Sequence, residues 1–322
     1  MKMKKWTNLL LVVLLVVACG TVFAGNDYPI KPIKLIVPYN AGGGADIVAR
    51  IVQKGLQKVL SQPVAIVNIG GGASVVGMLE VKNAKPDGYT MGMNNITMWT
   101  NYILGTADYG PLDFEPVAQA GTYYSTIVAG SKSKYKNLKD LAGNLKKQPH
   151  QVAHAINIGS IAHFTSLALQ DAIGGKAAFR FVHIGDGASR IAAIIGGQVD
   201  TTLMGTHEVQ PYYKSGQMRI LAIFSPKRLK SYPDVPTARE QGINLIRPIS
   251  YWYFMPKGTP KERVDYMADV LEKVMKDPET INNFNNLVIE PGFLRGKRLI
   301  QQLKADGKEI QTIAQKYDIK MN

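Results

Sequence analysis

The sequence predicts a mixed α/β chain of two lobes, joined by two crossings and enclosing a ligand cleft. Three observations carry this. Short apolar runs alternate with segments of helical period along nearly all of the chain. Glycine-rich turns stand between a run and the helix after it. The pattern starts afresh near residue 126 and leads back near residues 245–250. The expected division is residues 1–25 as an export signal, 26–125 with 248–322 as the first lobe, and 126–247 as the second.

The clearest unit spans Lys34 to Leu60. Leu35, Ile36 and Val37 form a strand-like run, while Val48, Ile51, Val52, Leu56, Val59 and Leu60 recur at helical spacing and predict one buried helix face. Between them lie Tyr39, Asn40, Ala41, Gly42, Gly43 and Gly44. Three consecutive glycines predict positive φ and a main chain that a ligand can approach without meeting a Cβ. The helix that opens there offers free N–H groups and a positive dipole end, which favour a carboxylate or phosphate. Asp46 falls in its first turn, where a plain capping carboxylate explains it equally well.

The unit repeats at once. Val64 to Val67 precedes Asn68-Ile69-Gly70-Gly71-Gly72, then Ala73, Ser74 and a helical segment from Val75 to Val81. In an open parallel sheet both turns emerge at the carboxyl edge, where such folds bind ligands. Neither turn ends in Gly-Lys-Ser/Thr, and neither has G-x-G-x-x-G spacing, so a nucleotide site is disfavoured.

Tyr89 to Met93 reads as a third strand with Asn94 at its polar end, residues 98–116 are aromatic and turn-rich, and Val117 to Val128 carries the chain across. In the second lobe a short helix begins at Asn137. Asn157, Gly159 and Ser160 precede a helix from Ile161 to Ile173 that carries His163; Ser160 is either a plain N-cap or a cap whose neighbouring amides face a ligand. Phe179 to His183 is the next strand. Gly185, Asp186 and Gly187 lead into a helix through Ile195, and Val199 to Met204 is a strand with Asp200 near its start and Gly205 at its end. Met218 to Phe224 follows as a strand. Trp252, Tyr253 and Phe254 mark the return, as cleft wall or as core. Pro260 starts a long helix, and Asp277-Pro278-Glu279 and Asn285 to Gly296 separate further helical segments.

Tyr28-Pro29, Lys31-Pro32-Ile33, Leu35 to Tyr39, Gly42-Gly43, Asp46 and Ala49-Arg50 together resemble the opening signature of the substrate-binding proteins of tripartite tricarboxylate transporters, the Bug family. Lys85-Pro86-Asp87-Gly88-Tyr89-Thr90, Gly159-Ser160 with His163, Gly196 to Asp200, Pro233 to Thr237 with Glu240 and Gly242, and Pro256 to Pro260 continue the resemblance in family order. Two positions depart from it. The family usually has Pro where Ala41 stands, and a Tyr-Lys/Arg-Gly element where His183-Ile184-Gly185 stands. The resemblance implies a two-lobed, type II periplasmic-binding-protein-like fold that captures a small carboxylate and delivers it to a membrane permease. The candidate ligand-binding set is Tyr39, Asn40, Ala41, Gly42, Gly43, Gly44, Gly71, Gly72, Ser74, Asn94, Asn157, Ser160, His163, Gly185, Asp186, Asp200 and Gly205.

Composition narrows the remaining classes. Lys2, Lys4 and Lys5 precede an apolar run, Leu9 to Val17, too short to span a bilayer and typical of a secretory signal. Cleavage is expected either after Ala24 or before Cys19, where Val16-Val17-Ala18-Cys19 matches a lipoprotein box and Cys19 would be acylated. Cys19 is the single cysteine, which excludes an intramolecular disulfide and a cysteine nucleophile beyond the signal. The formal charge of +14 falls to +11 without the three leader lysines. Export and the scarcity of aromatics within the basic run Lys132 to Lys147 argue against nucleic acid; that run reads as a solvated face or as a dock for anionic lipid or a partner protein. There is no Gly-x-Ser-x-Gly elbow and no His-Glu-x-x-His motif, and His150 and His154 straddle a turn rather than a helix, so neither enzyme nor metal or cofactor site is expected. A monomeric binding protein serving a permease is the main reading. A ligand sensor partnering a membrane receptor or sensor kinase is the alternative.

Overall fold

The computed structural model describes residues 28–185 and 187–319. The export signal, Cys19 and Asp186 lie outside the described residues.

Strand β1 (Ile33–Val37) pairs in parallel with β2 (Val64–Asn68) and β3 (Thr90–Asn94). Each is short, apolar and followed by a turn and a helix, the sequence pattern of a parallel sheet covered on its faces. Helix α1 (Gly44–Val59) buries Val48, Val52 and Leu56. Val59 departs from the expected face: it is exposed, because the helix ends there and Leu60 turns inward instead. Helix α2 (Val75–Asn83) follows the second glycine turn. Helix α3 (Thr97–Ile103) occupies part of what reads in sequence as turn-rich.

The long strand β4 (Glu115–Gly130) organises the molecule. Up to Tyr124 it pairs with β9 (Pro248–Met255), and from Ser125 onward it pairs with β7 (Thr201–Gly205) and β8 (Met218–Ile223). β9 runs antiparallel to both β3 and β4, so the sheet is mixed rather than wholly parallel. The second lobe continues through β5 (Ala153–Ile156) and β6 (Arg180–His183), both parallel to β7. Its helices are α4 (Leu138–Lys147), α5 (Ile161–Ile173), α6 (Gly187–Ile195) and α7 (Thr206–Lys214).

After β9, helices α8 (Lys261–Lys276) and α9 (Pro278–Asn286) pack back on the first lobe. Strand β10 (Glu290–Leu294) lies within Asn285 to Gly296, a break between helices by sequence, and pairs antiparallel with β4. Helix α10 (Gly296–Lys316) then spans both lobes: Lys316 pairs with Asp171 on α5 at 2.7 Å, and Glu309 pairs with the buried Arg247 at the second crossing at 2.8 Å. One apolar core underlies the first lobe, and two lie on opposite faces of the second lobe's sheet. Trp252, Tyr253 and Phe254 are fully buried in the first, which settles them as core.

Candidate functional site

The registers bring two carboxyl edges together. Asn94 at the end of β3 lies level with Trp252 and hence with Gln119 of β4, while Gly205 at the end of β7 lies level with Ser125. The turns of the two lobes therefore face one another across the stretch 119–125 of β4. His207, in the first turn of α7, closes the distance: a Cβ built on Gly44 would lie 2.5 Å from its Nε2, and one built on Gly205 would lie 2.9 Å from its Nδ1. The imidazole is thus wedged between glycines of opposite lobes. Its outer edge meets the Tyr123 ring at 4.5 Å, and burial holds it below the usual histidine range, so it is neutral.

On the first lobe the two glycine turns are tied by side chains. Asp46 Oδ2 accepts from the Gly42 amide and the Arg50 guanidinium, each at 2.9 Å, while its Oδ1 accepts from Asn68 at 3.0 Å. Burial alone would raise this carboxyl, but those donors outweigh it and hold it below the usual range. Asp46 is therefore the turn's internal acceptor, and Arg50 is occupied by it. Asn40 leans across the second turn, its Oδ1 filling the place where a Gly70 Cβ would stand.

Of the three consecutive glycines only Gly42 has positive φ, at 81°. Gly43 is extended (φ −78°, ψ 169°) and caps α1, so any residue could adopt its backbone conformation. The expectation of positive φ throughout the run is corrected accordingly. What Gly43 and Ala41 share is exposure, and Gly44 is glycine because His207 needs the room.

The second turn carries strain. Ala73 and Ser74 both take left-handed backbone (φ 51° and 83°), which L-residues hold only when surroundings enforce it. Here Asn101 Nδ2 donates to the Ala73 carbonyl at 2.8 Å, and Asn94 Nδ2 donates to Ser74 Oγ at 3.0 Å. Asn94 Oδ1 in turn accepts from Tyr39 at 2.8 Å. Gly71 and Gly72 lie exposed beside this network.

The second lobe contributes less cross-bonding. Ser160 caps α5 by accepting from the His163 amide, and His163 Nδ1 accepts from the Gly159 amide at 3.3 Å. That mutual cap accounts for both residues without a ligand. Asn157 and Gly185 stand at the cleft edge after β5 and β6. Asp200 does not: it precedes β7, at the far end of the strand from Gly205, and is bound to the Ala153 amide at 2.8 Å. Its place near the strand start, legible in the sequence, was itself the sign that it belongs to the opposite edge.

Sequence reasoning missed Asn101, Tyr123, Tyr251 and His207. Tyr123 and Tyr251 lie 5.6 Å apart, and burial pushes both hydroxyls well above the usual tyrosine range, as it raises Tyr39. All three stay protonated at neutral pH; Tyr39 gives its one hydrogen to Asn94 Oδ1, which leaves Tyr123 and Tyr251 as the candidate donors. Among the described residues no group of three or more His, Cys, Asp or Glu side chains could hold a metal, and no helix is long and apolar enough to cross a membrane.

The family model described as the tripartite tricarboxylate transporter family receptor matches residues 48–318. BugT of Bordetella pertussis is 28% identical over 287 residues, 86% of this chain and 87% of BugT. Among solved structures, the periplasmic binding protein BugD is 27% identical, with a TM-score of 0.79 over 92% of this chain and all of BugD. The malate-bound MatC of Rhodopseudomonas palustris shares the fold, with a TM-score of 0.77 at 23% identity over 89% of this chain and 99% of MatC.

Proposed function

The chain belongs to the tripartite tricarboxylate transporter receptor family, and from that premise we propose that it captures a small carboxylate between its lobes and hands it to a membrane permease. The observation that carries this is the facing of two sets of helix N-termini and turn amides across one cleft, with the tyrosine hydroxyls of residues 123 and 251 held protonated beside them. Donors of that kind suit an anion without a side-chain cation, since each exposed amide end contributes about 0.3–1 kcal/mol and more when buried. The malate of the MatC structure agrees in chemical class.

Capture proceeds by closure about the crossings near residues 125 and 247, between a lobe of residues 26–125 with 248–322 and a lobe of residues 126–247. The ligand-facing residues are those at the two carboxyl edges: residues 40–44, 71, 72, 74, 94, 157, 185 and 205, joined by Tyr123, Tyr251 and His207; Tyr39, Ser160 and His163 are engaged within their own lobe, Asp200 lies at the opposite edge, and Asp186 lies outside the described residues. The protein is exported by its N-terminal segment and acylated at Cys19, acting as a monomer; fatty-acid labelling that survives Cys19→Ala would overturn the acylation. A thermal-shift panel of mono-, di- and tricarboxylates, with ATP and NAD as controls, tests the function. At 100 times its dissociation constant a true ligand adds about 2.7 kcal/mol. Stabilisation by a nucleotide and by none of the carboxylates would remove the reading.

A further inference from the structure

The far pole of the second lobe carries a charge distribution that the cleft does not use. Gly130 of β4 is level with Met218 of β8, Ala129 with Thr201 of β7, and Ala153 of β5 with Arg180 of β6. The segments that lead into these strand starts, and the turn after β4, therefore share one end of the molecule, opposite the cleft. They place Lys132, Lys134, Lys146, Lys147, Lys176 and Lys214 there, all exposed. Asp200 is the one carboxylate in those segments, and it is bound to the Ala153 amide. None of the six lysines forms an ion pair among the described residues. On the first lobe, by contrast, several cations are matched: Lys31 with Asp87, Lys54 with Glu279, Lys58 with Asp277 and Lys82 with Asp108.

We propose that this pole docks on an anionic phospholipid surface, with headgroup phosphates entering the hollow of about 640 Å3 between Lys132, Lys134 and Ile195. Three features select lipid over an acidic protein. The cations are flexible lysines, which are depleted from protein interfaces, where arginine and exposed aromatics are enriched. Lysines outnumber arginines there, and of the two arginines at these strand starts, Arg180 and Arg219, the second is committed to the carbonyls of Ser131, Ser133 and Tyr135. Tyr135 and Phe179 of the same segments are buried, while the exposed Ile195 adds an apolar contact at the centre. The proposal takes its biological setting from the delivery of solute to a membrane permease, but its test is independent of that reading.

The test is co-sedimentation of the purified protein, with Cys19→Ala in every form compared so that no acyl chain contributes, with vesicles of 70% phosphatidylcholine and 30% phosphatidylglycerol, against vesicles of pure phosphatidylcholine. The wild type is expected to bind only the anionic vesicles and to be released by 0.5 M salt. Lys132→Glu, Lys134→Glu and Lys214→Glu combined should weaken partitioning by about 100-fold or more. Lys273→Glu, Lys297→Glu and Arg298→Glu combined change the net charge equally on the first lobe and should cost less than about 10-fold. Circular dichroism confirms that both variants are folded, and single reversals at the same sites replace either one that is not. Equal losses in the two variants, or equal binding of wild type to neutral vesicles, would overturn the proposal. Binding of polyglutamate without binding of anionic vesicles would overturn it in favour of an acidic protein partner.

Discussion

The two lobes present similar turns to the cleft but hold them differently. On the first lobe, Asp46 ties Gly42 and Asn68 together, and the chain Tyr39–Asn94–Ser74 with Asn101 pins a left-handed backbone that would not persist alone. On the second, Ser160, His163 and Glu208 each satisfy amides of their own helix start, and the loop after β5 meets β6 through the Ile158 N–H, which donates to His183 Nδ1 at 3.3 Å. The difference teaches that the first lobe is a prepared surface and the second a lid built from self-capped helices. Preorganised donors lose less freedom when a ligand arrives, so the first lobe should supply most of the ligand's orientation.

The comparison is broken most severely at Asp46. Asp46→Ala leaves the Gly42 N–H and one of the two Asn68 Nδ2 hydrogens unmet, the other still meeting the Tyr39 carbonyl, and should cost about 2–3 kcal/mol by urea denaturation, together with ligand binding. Retention of binding at near-normal stability would mean that the turn is not organised by this carboxylate.

A second, intermediate effect belongs to the lid. His154 on β5 is fully buried, with its ring nitrogens 2.8 Å from Thr201 Oγ1 and Ser166 Oγ, and burial pushes its pKa down to about 3. The folded protein accepts that proton only near pH 3, whereas the unfolded chain accepts it near the ordinary 6.5. Stability is therefore intact above about pH 6.5 and is lost as pH falls towards 3, at up to about 1.4 kcal/mol per pH unit. Urea midpoints at pH 7 and 4.5 should fall more in the wild type than in His154→Gln; identical slopes would contradict the assignment.

The smallest effect sharpens the contrast. Ser160→Ala removes a helix cap and should cost about 1 kcal/mol while leaving affinity per folded molecule unchanged. A large loss of affinity at unchanged stability would move Ser160 into the ligand's contact set and give the second lobe a larger share of recognition.

The parts of this fold that could be read in the sequence are those where periodicity and turn chemistry agree. The unit from Lys34 to Leu60 is such a case, and so is the helix from Ile161 to Ile173, whose predicted bounds match α5. Helix α3 was hidden because Thr97-Met98-Trp99-Thr100-Asn101-Tyr102 mixes β-branched, aromatic and polar residues of weak helical preference. Strand β10, Glu-Pro-Gly-Phe-Leu, reads as a turn by composition and is a strand only because β4 offers it an edge. The site divides in the same way. Glycine turns announce themselves locally, whereas Tyr123, Tyr251 and His207 converge from the interiors of β4 and β9 and the first turn of α7, with no spacing in the chain to betray them. Asn101 carried no signal beyond being a polar residue in an apolar segment.

Calorimetric titration of the best-stabilising carboxylate into wild type, Gly43→Val and Arg50→Ala tests the central claim, that the ligand is held by the backbone of the first turn. Gly43 has an extended backbone, and its nearest non-neighbouring atom, the Asn40 carbonyl, lies 3.4 Å from an added Cβ, so the valine variant should fold, as circular dichroism will register. Its methyl groups then stand where the ligand approaches the amides, and binding should be abolished, while Arg50→Ala, which removes a guanidinium already engaged by Asp46, should bind as the wild type does. Normal binding by a folded Gly43→Val protein, with binding lost in Arg50→Ala, would show that a side-chain cation holds the ligand and would contradict the account.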